Sequence, residues 1–162
     1  MKKIDVYTDG SHLDKLNNGR LGCGGIMVDR SAGGLGKELD RFSMELKPEY
    51  MKQEFGADKC SNPTAEMVGA LMALRNFNFP PDTEIIIKAD YSVVREWYMG
   101  TWKIKEPYIK KIKEEIDKEI KKKGLEGRIR FEWVKGHQNK SCMDSDAYWN
   151  NMVDLLAKGQ EP

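Results

Sequence analysis

Residues 3–11 run Lys3-Ile4-Asp5-Val6-Tyr7-Thr8-Asp9-Gly10-Ser11, and how they fold decides the rest of the chain. Ile4, Val6 and Thr8 fall on one side of an extended backbone, and Asp5, Tyr7 and Asp9 on the other. That period of two predicts a strand, which the turn residues Gly10-Ser11 are expected to end. Working outward, residues 21–29 (LGCGGIMVD) and 37–47 (KELDRFSMELK) predict two more strands, joined by the glycine-rich SAGGLG turn. The chain therefore opens with an antiparallel meander. Residues 48–61 carry mixed charge with no period and are expected to form a loop.

Asn62-Pro63 announces a helix, with Asn62 as the cap and Pro63 at the first helical position. Ala65, Val68, Leu71 and Leu74 give that helix an apolar stripe. Residues 84–90 (EIIIKAD) follow as a strand, whose three consecutive isoleucines predict burial on both faces, as in a parallel strand. A short helix over Tyr91–Met99 stops at Gly100, and a longer one runs from about Glu106 to Lys123. The longer helix sets Ile109, Ile112, Ile116 and Ile120 on one face and lysines on the other. Residues 128–134 (RIRFEWV) form the last strand, and residues 147–158 a final helix. The order β-β-β-α-β-α-α-β-α over residues 1–162 implies one domain of the mixed α/β class, with helices packed on a sheet.

Composition narrows the class. A chain of 162 residues, 40% hydrophobic and 33% charged, is large enough for its own core and too apolar for disorder. Three cysteines (Cys23, Cys60, Cys142) without a CxxC spacing argue against a disulfide framework and for a reducing, cytoplasmic setting. No apolar run is long enough to span a bilayer, so no membrane association is expected. Met1-Lys2-Lys3 leads directly into the first strand, unlike a signal peptide. The net charge of +1 is silent about a polyanionic partner, although Thr101–Lys123 holds nine lysines against five acids.

Chemistry concentrates in four carboxylates. Asp9 and Asp90 each end a strand, and in open sheets sites form at the carboxyl ends of strands beside a switch in strand order. Glu66 lies in the first turn of the helix between them, and Asp154 lies on the last helix after Asn150-Asn151. Brought together, four such groups repel one another unless a cation neutralises them. Hard oxygen ligands suit magnesium, with manganese as a substitute. Two such ions can serve an in-line phosphoryl displacement. Singly, each residue has a plainer account: Asp9-Gly10-Ser11 as a turn, Glu66 as a dipole partner, Asp90 as a cap, and Asp154 as a solvated helix position.

In series, the segments Tyr7-Thr8-Asp9-Gly10-Ser11, Asn62-Pro63-Thr64-Ala65-Glu66, Ile86-Ile87-Lys88-Ala89-Asp90, Trp133-Val134-Lys135-Gly136-His137 and Asn150-Asn151-Met152-Val153-Asp154-Leu155-Leu156-Ala157 resemble the successive motifs of the type 1 ribonuclease H family. They occur in family order and span nearly the whole chain. The resemblance implies the ribonuclease H-like fold: a five-stranded mixed sheet, an antiparallel meander followed by parallel strands, with helices on both faces. It also implies two magnesium ions held by Asp9, Glu66, Asp90 and Asp154, and cleavage of the RNA strand of an RNA–DNA hybrid to 3′-hydroxyl and 5′-phosphate ends. His137 takes the family's assisting role, passing a proton or helping product leave without holding metal. Asn62, Ser92, Gly10 and Ser11, and less directly Asn17 or Asn18, become candidate substrate contacts. Trp102 with Lys103 and Lys105 resembles the aromatic-basic segment that cradles the DNA strand.

The chain departs from the family pattern by extra residues around 48–60, by a longer stretch between His137 and Asp154, and by Tyr91-Ser92 after Asp90, where many members have Ser-Gln. No obligate protein partner is evident, and a monomer is expected. Two other readings stay open: a DNA-acting nuclease of the same fold, resolvase- or transposase-like, and a hybrid-binding module that has lost catalysis.

Overall fold

A computed structural model of the chain describes residues 2–12, 20–31, 33–57, 61–100, 106–134 and 145–162, with backbone alone at Asn62, Ser92 and Val93. In order the elements are β1 (Lys2–His12), β2 (Leu21–Asp29), β3 (Lys37–Glu45), α1 (Pro48–Phe55), α2 (Asn62–Asn76), β4 (Thr83–Ala89), α3 (Ser92–Met99), α4 (Pro107–Lys122), β5 (Ile129–Trp133) and α5 (Ser145–Ala157). The sheet runs β3-β2-β1-β4-β5. Pairing is antiparallel between β1, β2 and β3, and parallel between β1, β4 and β5. This is the mixed α/β architecture expected from the sequence.

β1 is central, and its alternation separates two apolar layers rather than core from solvent. Ile4 and Val6 pack in the large core with α2 and α4. Tyr7 packs on the other face against Trp149, Val153 and Leu156 of α5. The isoleucines of β4 behave the same way: Ile85, Ile86 and Ile87 are all buried, as its parallel pairing on both sides requires. α4 closes the large core by burying Ile109, Ile112, Ile116 and Ile120, each worth about 1.5–3 kcal/mol of transfer free energy. Lys111 and Lys113 form i,i+4 ion pairs with Glu115 and Asp117 on the same helix. Among the described helices, none is long and apolar enough to cross a membrane.

Four local expectations are corrected. β1 does not end at Gly10-Ser11; it continues to His12, with Gly10 opposite Cys23 and Ser11 opposite Gly22. Gly10 is required by close packing instead, since a Cβ there would lie 2.4 Å from the backbone of Ala65 and Glu66. The expected loop over 48–61 contains helix α1, which has Pro48 in its first turn and stops at Gly56 in the left-handed region (φ 69°). Its signal was Met51 and Phe55, one turn apart and both buried among charged neighbours. The cap of α2 is Ser61 rather than Asn62, which is the first helical residue, and Tyr91 likewise caps α3 rather than starting it. Cys23 is free and buried, while Cys60 and Cys142 lie outside the described residues.

Candidate metal centre

The site follows from strand register. Thr8 pairs with Ala89 as the last pair of the parallel β1–β4 ladder, so Asp9 and Asp90, the next residues, emerge side by side where that ladder ends, past the carboxyl end of β4 and within β1. Glycine then brings the helices in. Gly10 lets the first turns of α2 lie on β1, and Gly69 of α2 sits over the Asp9 carbonyl, 3.1 Å from where its Cβ would be. On the opposite face, a Cβ at Gly22 would meet the Ala157 carbonyl at 2.4 Å, and one at Gly24 would meet Leu156 Cβ at 2.8 Å. α5 can therefore lie directly on β2.

The result is a compact acidic cluster. Asp9, Glu66 and Asp90 each present a carboxylate oxygen, and the three lie within 4.8 Å of one another. Asp9 and Glu66 are buried, at 3% and 4% exposure, and Asp90 is half-buried. The Gly10 amide donates to Asp9 Oδ1 at 3.0 Å. Asn150 Nδ2 donates to Asp90 Oδ2 at 3.4 Å, and Trp133 Nε1 donates to the Asp90 carbonyl at 3.0 Å. A hydrogen bond also joins the Asp9 and Glu66 carboxyls.

Electrostatics reflect this crowding. Burial, followed by the charges of Glu66 and Asp90, pushes Asp9 well above the ordinary carboxylate range. Burial pushes Glu66 up to about 8, with the Asp90 charge adding to the rise and the Asp9 hydrogen bond opposing it. Glu66 Oε2 is buried and accepts no hydrogen bond. Leaving such an atom unsatisfied costs about 1–3 kcal/mol or more for a charged group, so the protein retains a penalty that a cation would remove. Three carboxylates gathered in this way, one of them with an orphaned oxygen, form the donor set that magnesium or manganese takes, and the residues present fit such an ion.

Of the four carboxylates singled out in the sequence, three form this set and Asp154 stands at its border. Asp154 is near enough to Asp9 to help raise its carboxyl, and it pairs with Lys158, one turn further along α5, at 2.8 Å. Gly10 acts through its amide and its lack of a side chain, and Ser11 is buried one residue further along β1. Asn62 and Ser92 begin α2 and α3, the helices that follow α1 and β4. His137, Trp102, Lys103, Lys105, Asn17 and Asn18 lie outside the described residues. Sequence reasoning missed the contacts of Asn150 and Trp133 with Asp90. Asn150 had a signal, because it precedes Asp154 by four residues and so shares its helix face. Trp133 had none, because nothing local shows that β5 would border β4.

Comparison with known proteins agrees with this geometry. The profile of the family described as RNase H matches residues 1–161. A ribonuclease H from Aeromonas hydrophila is 30% identical over 157 residues, covering 88% of this chain and 86% of that protein. LC11-RNase H1, solved in complex with an RNA/DNA hybrid, superposes with a TM-score of 0.69 at 19% identity, over 97% of this chain and 95% of that one. RNase H1 from the halophilic archaeon Halobacterium salinarum NRC-1 superposes with a TM-score of 0.65 at 17% identity, over 96% and 95% of the two chains.

Proposed function

The chain belongs to the RNase H family of hydrolases, and from that membership we propose that it is a metal-dependent endonuclease cutting the RNA strand of RNA–DNA hybrids, with 3′-hydroxyl and 5′-phosphate products. The observation that carries this reading is the buried, unpartnered Oε2 of Glu66 within a knot of three carboxylates, of which Asp9 and Glu66 are pushed toward protonation by burial and neighbouring charge. Asp9, Glu66 and Asp90 hold the metal, and Asp154 completes the set. When bound, two divalent cations (Mg2+, with Mn2+ able to replace it) supply an activated water and stabilise the leaving oxygen.

The chain's own groups do the rest. The Gly10 amide and Asn150 Nδ2 orient the carboxylates of Asp9 and Asp90 as metal ligands. The Trp133 indole holds the Asp90 backbone in place. His137 moves a proton at the leaving oxygen or eases product departure. Selecting RNA requires reading a 2′-hydroxyl, which is both donor and acceptor. We assign that reading to Asn62, Gly10, Ser11 and Ser92, at or near the ends of β1, α2 and α3. Trp102, Lys103 and Lys105 are assigned to the DNA strand, where phosphate contacts make binding salt-sensitive. The hybrid complex of LC11-RNase H1 supports the substrate class. On this reading residues 1–162 form one ribonuclease H domain, acting in the cytoplasm as a monomer.

Matched 20-base-pair substrates differing only in strand chemistry test the proposal. With Mg2+, the protein is expected to cut the RNA strand of the hybrid and to leave duplex DNA and duplex RNA intact. Cutting of duplex DNA would favour a resolvase-like activity, and hybrid binding without turnover would favour a module that has lost catalysis.

A further inference from the structure

A second cluster of charged side chains lies on the α5 face of the sheet and takes no part in the chemistry above. Lys88 projects from β4 with its side chain only 12% exposed, and its Nζ donates to Asp5 Oδ2 at 3.1 Å and to Asp146 Oδ1 at 2.9 Å. Tyr7, on β1 between them, directs its hydroxyl to the same Asp146 oxygen and lies 3.4 Å from the same Asp5 oxygen. Arg30, just past β2, places Nε 3.3 Å from Asp5 Oδ2 and donates from a terminal nitrogen to Ser145 Oγ at 2.9 Å. Two cations and a phenol of the sheet thus grip the first two residues of α5.

The spacing along α5 gives this grip a consequence. Asp146, Asn150 and Asp154 are four residues apart in turn, so they share the helix face turned toward β1 and β4. Asp146 meets Lys88, Asn150 meets Asp90, and Asp154 meets Asp9. The apolar contacts of Trp149, Val153 and Leu156 press the helix onto the sheet, but apolar attraction is non-directional and fixes neither its axial position nor its rotation. A slip of one residue would move Asp154 by about 1.5 Å along the axis and swing it by about 100°. Replacing a buried ion pair by apolar groups is often neutral for stability, and in some proteins buried polar groups serve instead to select one register among several.

We propose that Lys88 is a positioning residue, its ammonium bridging Asp5 and Asp146 to set the register of α5 so that Asp154 and Asn150 reach the Asp9–Glu66–Asp90 cluster. The inference rests on the metal-centre reading given above. The alternative role for the cluster is stability alone, and the two roles separate on metal affinity.

The test compares the wild-type chain with K88M, D146N and K88R by Mn2+ titration calorimetry of the free protein, thermal melting, and steady-state cleavage of a hybrid in Mg2+. K88M and D146N are expected to weaken Mn2+ binding on the order of tenfold and to lower kcat while leaving KM for the hybrid unchanged. K88R, which restores the cation, is expected to return Mn2+ affinity to near the wild-type value. Should K88M fail to fold, D146N decides, because the Asp146 side chain is already one-third exposed. Variants that melt earlier but bind Mn2+ as the wild type does would overturn the positioning role. A wild-type protein that binds Mn2+ yet cuts no hybrid would sink the proposed activity while the affinity series still judges Lys88. Absence of Mn2+ binding in the wild type would overturn both.

Discussion

Replacing Glu66 by Gln removes the group's capacity to ionise and keeps its shape. Burial raises the Glu66 carboxyl to about 8 from an ordinary value of 4.5. Because the folded chain holds the extra proton, the group's contribution to stability is fully present below pH 4.5 and is lost as the pH rises through about 8. At pH 7 the unfolded chain ionises this carboxyl almost completely and the folded chain barely does, a difference of roughly 3 kcal/mol against folding. At 4% exposure, solvent screening takes little from that figure. E66Q in metal-free buffer is therefore expected to be more stable than the wild type by up to about 3 kcal/mol at pH 7, which is roughly 6–12 °C in Tm for a chain of this size. At pH 5 the gain should shrink to about 1 kcal/mol. The same variant should have lost hybrid cleavage. Calorimetric or circular-dichroism melts in EDTA at both pH values measure this directly. An E66Q protein no more stable than the wild type at pH 7, or one whose gain does not change with pH, would refute the reasoning.

Asp9→Asn and Asp90→Asn should each reduce hybrid cleavage by on the order of a thousandfold, with circular-dichroism spectra unchanged, and Asp154→Asn should come close to the same loss. His137→Ala should slow turnover by on the order of a hundredfold without abolishing it, and full activity in that variant would remove His137 from the mechanism. Gly10→Ala drives a methyl into the Ala65–Glu66 backbone, so it should destabilise the fold by about 1–3 kcal/mol and also weaken Mn2+ binding as α2 is pushed away from Asp9. Metal binding must displace protons from Asp9 and Glu66, so Mn2+ affinity should rise with pH between 6 and 8 and the heat of binding should vary with the ionisation enthalpy of the buffer.

Much of this architecture was legible in the sequence because its signals are local. The alternation of β1, the isoleucine run of β4 and the four-isoleucine stripe of α4 each name an element and the face it buries. Asp9 and Asp90 could be placed together because parallel neighbouring strands run to the same edge of the sheet, although β1 itself continues past Asp9 to His12. What stayed hidden depends on contacts between segments distant in sequence. Gly10 looks like a turn residue until α2 is seen against it, and α1 gives only a faint periodic signal because Met51 and Phe55 alone of its eight residues are buried. The grip of Lys88 and Arg30 on α5 likewise needs the packed sheet before it has any meaning.

Anomalous diffraction from a crystal of the wild-type protein soaked in Mn2+ tests the central claim most directly. Two manganese peaks in contact with carboxylate oxygens of Asp9, Glu66 and Asp90, one of them touching Glu66 Oε2, are the expected result. A well-ordered crystal with that oxygen still unliganded at millimolar Mn2+ would contradict it.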